Sequence, residues 1–195
     1  MSAQHADIRA YGGLNLLQLT TDDGSSLIDG IVHDQSVSGR PGWQLGGSLT
    51  FGNHFFFQPG FQYGRVSTEI INTNDSLGTK YEDANKVSMI SVPLKVGFRF
   101  LNPEEADLFN LRIYAGIYGH HITSVKHTTI SGKIVEKSTS DYQNIIFNAD
   151  FGAGVDFLFL FSDVGYQLGL SPVFKNESGS KANSFYATLG VKLDL

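Results

Sequence analysis

The sequence predicts an all-β protein whose eight antiparallel strands close into an up-and-down barrel, and three observations favour this fold class. Apolar and polar residues alternate along many segments, which is the period of a strand with one covered face. The longest apolar run, Phe-Leu-Phe-Leu-Phe at 157–161, is far shorter than the roughly 18 residues of a membrane-spanning helix. The connections between the alternating segments switch regularly between short and long.

Each predicted strand follows from its own alternating segment. The alternation places strands at residues 7–19, 42–52, 54–67, 87–101, 109–125, 144–160, 163–174 and 183–195. The second and third strands show the pattern most clearly, because Trp43, Leu45 and Leu49 share one face and the alternation resumes after Gly52-Asn53. Residues 102–109 are the best helical candidate, and they are about one turn long.

The connections predict a barrel with two different ends. Short turns are expected at Gly52-Asn53, at 102–108 and around Ser162, and long polar loops at 20–41, 68–86, 126–143 and 175–182. Outer-membrane barrels have short periplasmic turns and long extracellular loops. The sequence therefore predicts a single transmembrane β-barrel domain over residues 1–195 with this polarity.

The two faces of the predicted strands differ in charge. The apolar face, represented by Leu94, Phe151 and Leu189, carries no charged residue, whereas the opposite face carries charges and many glycines. A water-exposed face is a poor place for glycine, because glycine weakens an exposed strand. In a narrow barrel the same glycines leave room for large polar neighbours. We therefore expect the apolar face to contact lipid and the charged face to fill the lumen.

The charged residues of the inner face form the predicted site. They are Arg9, Lys95, Arg99, Arg112, Asp150, Asp156, Lys192 and Asp194. Most of them fall in the half of the barrel next to the short turns. Because charges that are buried together must pair, this placement predicts one ionic network that plugs the periplasmic half. Independently hydrated side chains are the alternative.

Aromatic residues of the outer face are predicted to mark the two membrane–water interfaces. The long-loop ends of the strands carry Trp43, Tyr63, Phe174 and Phe185. The short-turn ends carry Phe55, Phe57, Phe98, Phe157 and Tyr166. Two aromatic girdles are typical of membrane barrels, whereas a two-layer soluble core rich in phenylalanine is the alternative explanation.

The amino-acid composition limits the classes of partner and the chemistry that the protein can use. The net charge of -5 argues against nucleic acid as a partner. Charged residues make up 17% of the chain, below the roughly 25% that is usual for soluble domains. There is no cysteine, so disulfides and thiolate chemistry are excluded. Residues 1–6 are expected to be an N-terminal tail with a signal-peptide remnant, because Ser2-Ala3-Gln4 resembles the small-residue pattern of a cleavage site.

Catalysis, a metal and a cofactor are not expected. His120 and His121 are the best candidates for chemistry, and Ser124 and Asp141 could complete a hydrolase-like constellation. No nucleophile elbow or comparable motif supports that reading. Adjacent strand residues point to opposite faces, so the two histidines could share one metal ion only at a bulge.

Five segments carry a resemblance to a known family. VSMISVPLKVGFRF at 87–100 contains a Val-Pro-Leu step followed by Lys95, and the further matches are FFFQPGFQYGRV, IYAGIYGHH, DFGAGVDF and YATLGVKLDL. Together they resemble the small outer-membrane β-barrel family of the Bacteroidetes type, the porin-like or PorT-like group of OmpX/OmpA-like eight-stranded barrels. The chain ends in Leu195, where such barrels usually end in Phe or Trp. The resemblance implies a barrel in the outer membrane of a Gram-negative bacterium and specifies no activity.

On these grounds we expect a non-enzymatic outer-membrane barrel with a side-chain-filled lumen, either structural or a partner-binding component of a cell-envelope complex. The expected partners are outer-membrane lipid, lipopolysaccharide and another envelope protein. Two alternatives remain open. A soluble lipocalin-like ligand-binding barrel would need an apolar cavity and lacks the early Gly-x-Trp signature. An outer-membrane lipid-modifying enzyme would depend on His120 or His121.

Overall fold

The computed structural model describes residues 5–20, 36–74, 79–101, 108–128, 134–136, 143, 145–173 and 181–195. Within these residues the chain forms nine β-strands. They are β1 (Ala6–Thr20), β2 (Ser36–Phe51), β3 (Phe55–Asn74), β4 (Thr79–Arg99), β5 (Phe109–Thr128), β6 (Ile134–Glu136), β7 (Ile145–Phe157), β8 (Leu160–Gly169) and β9 (Lys181–Asp194). No helix in the described part of the chain is long and apolar enough to cross a membrane.

Eight of the strands close into one antiparallel barrel. β1 pairs with β2 on one side and with β9 on the other, so Tyr11 lies opposite both Gly46 and Gly190. Pairing of β4 with β5 completes the ring. β6 lies within the predicted loop at 126–143 and extends the outer end of β5 beyond the start of β7. The predicted eight-stranded up-and-down barrel is therefore confirmed.

Several strands continue further towards the long loops than predicted. β2 begins at Ser36, β3 reaches Asn74 and β4 begins at Thr79. The predicted loop at 68–86 is wrong, because β3 and β4 stay paired as far as Asn74 and Thr79. The segment Ser-Thr-Glu-Ile-Ile-Asn-Thr-Asn at 67–74 has no regular apolar–polar alternation. Hydropathy marks a strand only where its two faces meet different surroundings.

The third short turn lies at Leu158 and Phe159, and its predicted position around Ser162 is wrong. β7 ends at Phe157 and β8 begins at Leu160. Leu158 has a φ of 52°, and tight hairpin turns need such a positive φ. The run Phe-Leu-Phe-Leu-Phe contains none of the Gly, Asn or Asp residues that normally supply this conformation. Amino-acid composition therefore does not predict a turn at this position.

The strands direct their apolar face outward, as predicted. Leu94, Phe151 and Leu189 are exposed, whereas Lys95 and Asp150 are buried, with exposed fractions of 7% and 0%. Apolar side chains cover the outside of the barrel over an area far larger than a soluble monomer exposes. A closed ring also pairs its strands on both edges, as a sheet in hydrocarbon must.

Two prolines inside the strands leave the register unchanged. Proline lacks an amide donor, so a bulge is the expected accommodation of Pro59 and Pro93. Both stay in register with their neighbours, and β3–β4 pairing is only interrupted between Pro59 and Gln62. A register shift is found instead between Arg40 and Trp43, where β2 contains a proline that the alternation did not single out.

Candidate functional site in the barrel lumen

Side chains fill the lumen in four layers from the short-turn end to the long-loop end. Alternate residues of β5 show the order of the layers, because every second residue of a strand points inward and lies further from the short-turn end than the one before it. On β5, Arg112 belongs to the first layer, Tyr114 and Tyr118 to the second, His120 to the third and Ile122 to the fourth. The layers are the basal ionic network, the lysine–tyrosine layer, the amide layer and the apolar cap.

The basal ionic network joins three arginines and three aspartates. Its members are Asp7, Arg9, Arg99, Arg112, Asp156 and Asp163. Arg9 is its centre: its Nη1 and Nη2 donate to the two carboxylate oxygens of Asp156 at 2.9 Å each, and its Nε donates to Asp7 at 2.6 Å. Arg99 Nη2 donates to the other oxygen of Asp7 at 2.6 Å. The formal charges of the network sum to zero, as a buried cluster requires.

Arg112 and the inward ring of Phe161 complete this layer. Arg112 lies 3.1 Å from Asp156 and 2.8 Å from Asp163, but its N–H groups are not aligned for hydrogen bonds with either. It is therefore held by charge and by packing. The ring of Phe161 lies 4.9 Å from the Arg9 guanidinium and 5.2 Å from that of Arg112. Such stacking of guanidinium on an aromatic face is favourable where water is excluded.

The lysine–tyrosine layer lies above the network. Lys95 Nζ donates to Tyr186 Oη at 3.2 Å and lies 3.5 Å from Asp150 Oδ2. Tyr186 Oη donates in turn to Asp150 Oδ2 at 3.2 Å. The ammonium group also lies 4.3 Å from the ring centre of Tyr114 and 5.4 Å from that of Tyr118. One cation is thus surrounded by a carboxylate and three aromatic rings.

Glycines make room for these large side chains, as predicted from their position on the inner face. A Cβ on Gly152 would collide with the ring of Tyr114, and a Cβ on Gly165 would collide with that of Tyr186. A Cβ on Gly190 would meet Phe161 at 2.7 Å. The lumen is therefore packed by pairing a large residue on one strand with a glycine on the next.

The amide layer contains uncharged polar side chains. Gln62 Nε2 donates to Gln44 Oε1 at 3.1 Å, and Asn15 Nδ2 reaches the same oxygen at 3.5 Å. On the opposite side, His120 Nδ1 lies 2.7 Å from Ser91 Oγ. Above this layer, the apolar cap is a buried cluster formed by Val66, Val87, Ile122, Val125, Ile146, Val173 and Ala182.

The predicted ionic residues are divided between two layers of the lumen and the periplasmic rim. The structure brings Arg9, Arg99, Arg112 and Asp156 together, whereas Lys95 and Asp150 belong to the next layer. Lys192 and Asp194 lie at the periplasmic rim. They are 3.7 Å apart, and the Asp194 side chain is 56% exposed because β9 ends there.

The predicted outer aromatics are placed as follows. Those that face outward or lie half-buried on the outer face are Trp43, Phe55, Phe57, Tyr63, Phe98, Phe157, Tyr166 and Phe185. Tyr166 pairs with Phe185, so its assignment to the short-turn girdle is wrong. The error follows from the misplaced turn. Because β8 starts at Leu160 and not at 163, Tyr166 lies further from the short turn than predicted. Phe174 lies outside the described residues.

The predicted hydrolase-like constellation is not assembled. His120 contacts Ser91, while Ser124 pairs with Ser88 at the outer end of β5. His121 lies on the exposed face, opposite to His120, as alternation requires. Asp141 lies outside the described residues.

Sequence reasoning missed Asp7, Asp163, Phe56 and Phe161. Asp163 was hidden by the misplaced turn, and Asp7 is the second residue of β1. Both phenylalanines lie in runs of apolar residues, where composition does not show which face a residue occupies. The available signal was strict alternation: Phe56 lies between the outward Phe55 and Phe57, so it must point inward.

Three side chains of the kind that ligate metals lie together at the periplasmic rim, but their surroundings do not fit a cation. One ligand atom from each of His5, Asp7 and Asp194 lies within 4.8 Å of the others. Asp7 already accepts hydrogen bonds from Arg9 and Arg99. Two guanidinium groups beside the same carboxylate would repel a metal ion.

A closed ring with an apolar exterior, short turns at one end and charges sealed inside defines an integral outer-membrane β-barrel. The chain belongs to the outer membrane protein beta-barrel domain family, whose sequence profile matches residues 2–175. It is accordingly a protein of the Gram-negative outer membrane. No curated protein sequence matches the chain.

Three solved structures are similar to this chain at low sequence identity. The outer membrane protein OprG from Pseudomonas aeruginosa has a TM-score of 0.55 and 11% identity, covering 97% of this chain and 95% of that chain. Neisserial surface protein A has a TM-score of 0.49 and 12% identity over 96% and 97% of the two chains. Ail of Yersinia pestis has a TM-score of 0.48 and 15% identity over 96% and 99%. The likeness to OprG supports the fold and nothing beyond it.

Proposed function

We propose that this protein is a non-enzymatic barrel of the Bacteroidetes, PorT-like type that acts through its surfaces. In this proposal it is a structural or partner-binding component of a cell-envelope complex. Its partners would be outer-membrane lipid, lipopolysaccharide and a second envelope protein, and nucleic acid is not among them. The segments around 87–100 support the family type, and the filled lumen supports the mode of action.

Side-chain contacts across the lumen carry this proposal. Arg9 on β1 bonds to Asp156 on β7, and Lys95 on β4 bonds to Tyr186 on β9, although neither pair of strands is adjacent in the sheet. Two interior cavities have volumes of only about 10 and 50 Å³. An eight-stranded barrel is just wide enough for its side chains to fill. A lipocalin-like role would need an apolar cavity where this lumen holds charges and amides.

Ion conductance tests the sealed lumen. The purified protein is reconstituted into planar bilayers, and we expect no stable current steps at moderate voltage. Insertion is verified separately by protease protection of the bilayer-embedded barrel. A reproducible unitary current from the parent protein would contradict the proposal, because ions would then cross the ionic network.

In vivo photo-crosslinking tests the partner. A photoreactive residue is placed at Asn72, near the outer end of β3, and, as the matched control, at Leu94 on the lipid-facing belt. We expect a discrete protein adduct from position 72 and lipid adducts from position 94. Lipid adducts alone from both positions would contradict partner binding at the long-loop end.

The 2.7 Å contact between Ser91 and His120 is the observation on which the alternative of a lipid-modifying enzyme would depend. Ser91 is 0% exposed and faces the lumen, whereas acyl chains lie outside the barrel. A substrate carbonyl therefore has no route to the serine. We expect the parent and His120→Ala to leave phospholipid and lipopolysaccharide unchanged by mass spectrometry. Acyl release that His120→Ala abolishes would contradict the non-enzymatic proposal.

A further inference from the structure

The amide layer encloses a cavity of about 50 Å³. Every one of the eight barrel strands contributes to its lining. The polar lining residues are Asn15, Gln44, Gln62, His120, Asn148, Gln167 and Ser184. None of the lining residues carries a formal charge when His120 is neutral. The apolar cap lies above this cavity and the lysine–tyrosine layer lies below it.

Four polar atoms around the cavity have no protein partner. They are Asn15 Oδ1, Gln44 Nε2, His120 Nε2 and Asn148 Oδ1. Their residues are more than nine-tenths buried, with exposed fractions of 6%, 3%, 6% and 3%. Buried polar groups are normally hydrogen-bonded, because leaving them unpaired costs their hydration. Four such atoms around one cavity therefore point to a common binding partner.

The other end of each side chain is already fixed. Asn148 Nδ2 donates to the Ala182 carbonyl at 3.0 Å, and Gln44 Oε1 accepts from Gln62 at 3.1 Å. His120 Nδ1 is engaged by Ser91. The free atoms are thus two amide oxygens, one amide N–H₂ group and one imidazole nitrogen. An uncharged site that offers both hydrogen-bond acceptors and hydrogen-bond donors suits a ligand that can itself donate and accept hydrogen bonds.

We propose that this chamber is a binding site for a cluster of water molecules that bridges His120 to the amides of β1, β2 and β7. A buried water needs roughly 10–15 Å³ and two to four polar partners, so a cavity of about 50 Å³ holds roughly three to five. An ion is disfavoured, because no opposite charge lines the chamber. An apolar ligand is disfavoured by the four polar atoms. Because layers of packed side chains close both ends, these waters exchange slowly.

Magnetic relaxation dispersion of water ²H and ¹⁷O tests this site, because it counts long-lived internal waters. The full chain is measured in detergent micelles as the parent, as His120→Phe and as His121→Phe. His121 is the matched control, since it is the same residue type at the next position and lies on the exposed face. We expect several long-lived waters in the parent, the loss of at least one in His120→Phe, and an unchanged count in His121→Phe. Equal counts in all three proteins would overturn the proposal.

Xenon binding gives a second test that does not depend on a variant. Dry apolar cavities take up xenon, whereas hydrated polar cavities do not. We expect crystals of the parent under xenon pressure to show water density within hydrogen-bond distance of the four unpaired atoms. Xenon density in the chamber would overturn the proposal.

Discussion

At the residue scale, Arg9 is the side chain on which most of the buried charge depends. It bonds to Asp156 through two nitrogens and to Asp7 through a third, and its guanidinium packs on Phe161. Its removal would leave two carboxylates facing each other without their shared cation. A buried charge that loses its partner is far more costly than an exposed one.

Arg9→Ala should therefore destabilise the folded barrel by about 3–5 kcal/mol. The measurement is the free energy of unfolding in urea, in detergent or in lipid vesicles. Lys192→Ala is the control, because its partner Asp194 is 56% exposed and such a pair contributes about 0–1 kcal/mol. Equal losses from the two variants would show that the basal ionic network does not stabilise the fold.

Gly152→Ala should destabilise the barrel by about 1–3 kcal/mol, because the new methyl group enters the space of the Tyr114 ring. Gly119→Ala is the matched control, since its nearest neighbour is a Phe147 ring atom at 3.7 Å. Unfolding of both variants is followed by tyrosine fluorescence or gel migration. If Tyr114→Leu fails to relieve the effect in the double variant, steric conflict with this ring is not its cause.

The sequence predicts which residues face the lumen, but it does not predict which of them contact each other. The alternation of β4 fixes Lys95 and Arg99 on the lumen side, because period two leaves no other choice. Whether Arg99 meets Asp7 or Asp194 depends on where strands begin and how they stagger around the ring. Sequence spacing along one strand contains no information about contacts across the lumen.

At the element scale, the turn between β7 and β8 places a leucine where glycine is favoured. Leu158 has a φ of 52°, and a left-handed conformation costs a residue with a Cβ roughly 1–2 kcal/mol. Leu158→Gly should therefore stabilise the barrel by about 0.5–1 kcal/mol after the entropic cost of glycine. The free energy of unfolding in lipid vesicles provides the measurement. Phe159→Gly is the control and should lose stability; a loss of stability in Leu158→Gly as well would contradict a strained turn.

The ends of the elements were predicted well where alternation and a turn residue mark them, and poorly elsewhere. The start of β1 and the turn at Gly52 were correctly placed, because alternation and a glycine with a φ of 116° mark them. The outer parts of β3 and β4 have backbone pairing without a hydropathy contrast. Short β6 has only three residues, which is too few for any period to be visible.

At the scale of the whole molecule, the exterior behaves as a surface adapted to hydrocarbon. Leu94→Arg should reduce the free energy of folding into bilayers by about 2–4 kcal/mol, because it places a charge on the lipid face between the two predicted aromatic girdles. Leu101→Arg, just beyond the end of β4, is the control and should cost about 0–1 kcal/mol. Folding into vesicles across a denaturant series provides the measurement. Equal costs at both sites would mean that Leu94 does not lie in the bilayer.

The architecture of the molecule was the most predictable level, since the counts of strands and the polarity of the connections both follow from local patterns. The layered filling of the lumen was not predictable, because it requires the stagger of all eight strands at once. The apolar cap illustrates this: Val66, Ile122 and Ile146 face inward, against the expectation of a polar inner face. Their inward position is fixed by the phase of the polar residues below them.

The location of the basal ionic network also affects how the molecule can enter its membrane. The six opposed charges gather beside the short turns, on the side from which an outer-membrane precursor arrives. If the loop end crosses the bilayer first, the three arginines and three aspartates of this network stay near the periplasmic side and need not cross the hydrocarbon core. Their ion pairs can therefore form from the periplasmic side, next to the short turns, and join the strands across the lumen at that end of the barrel.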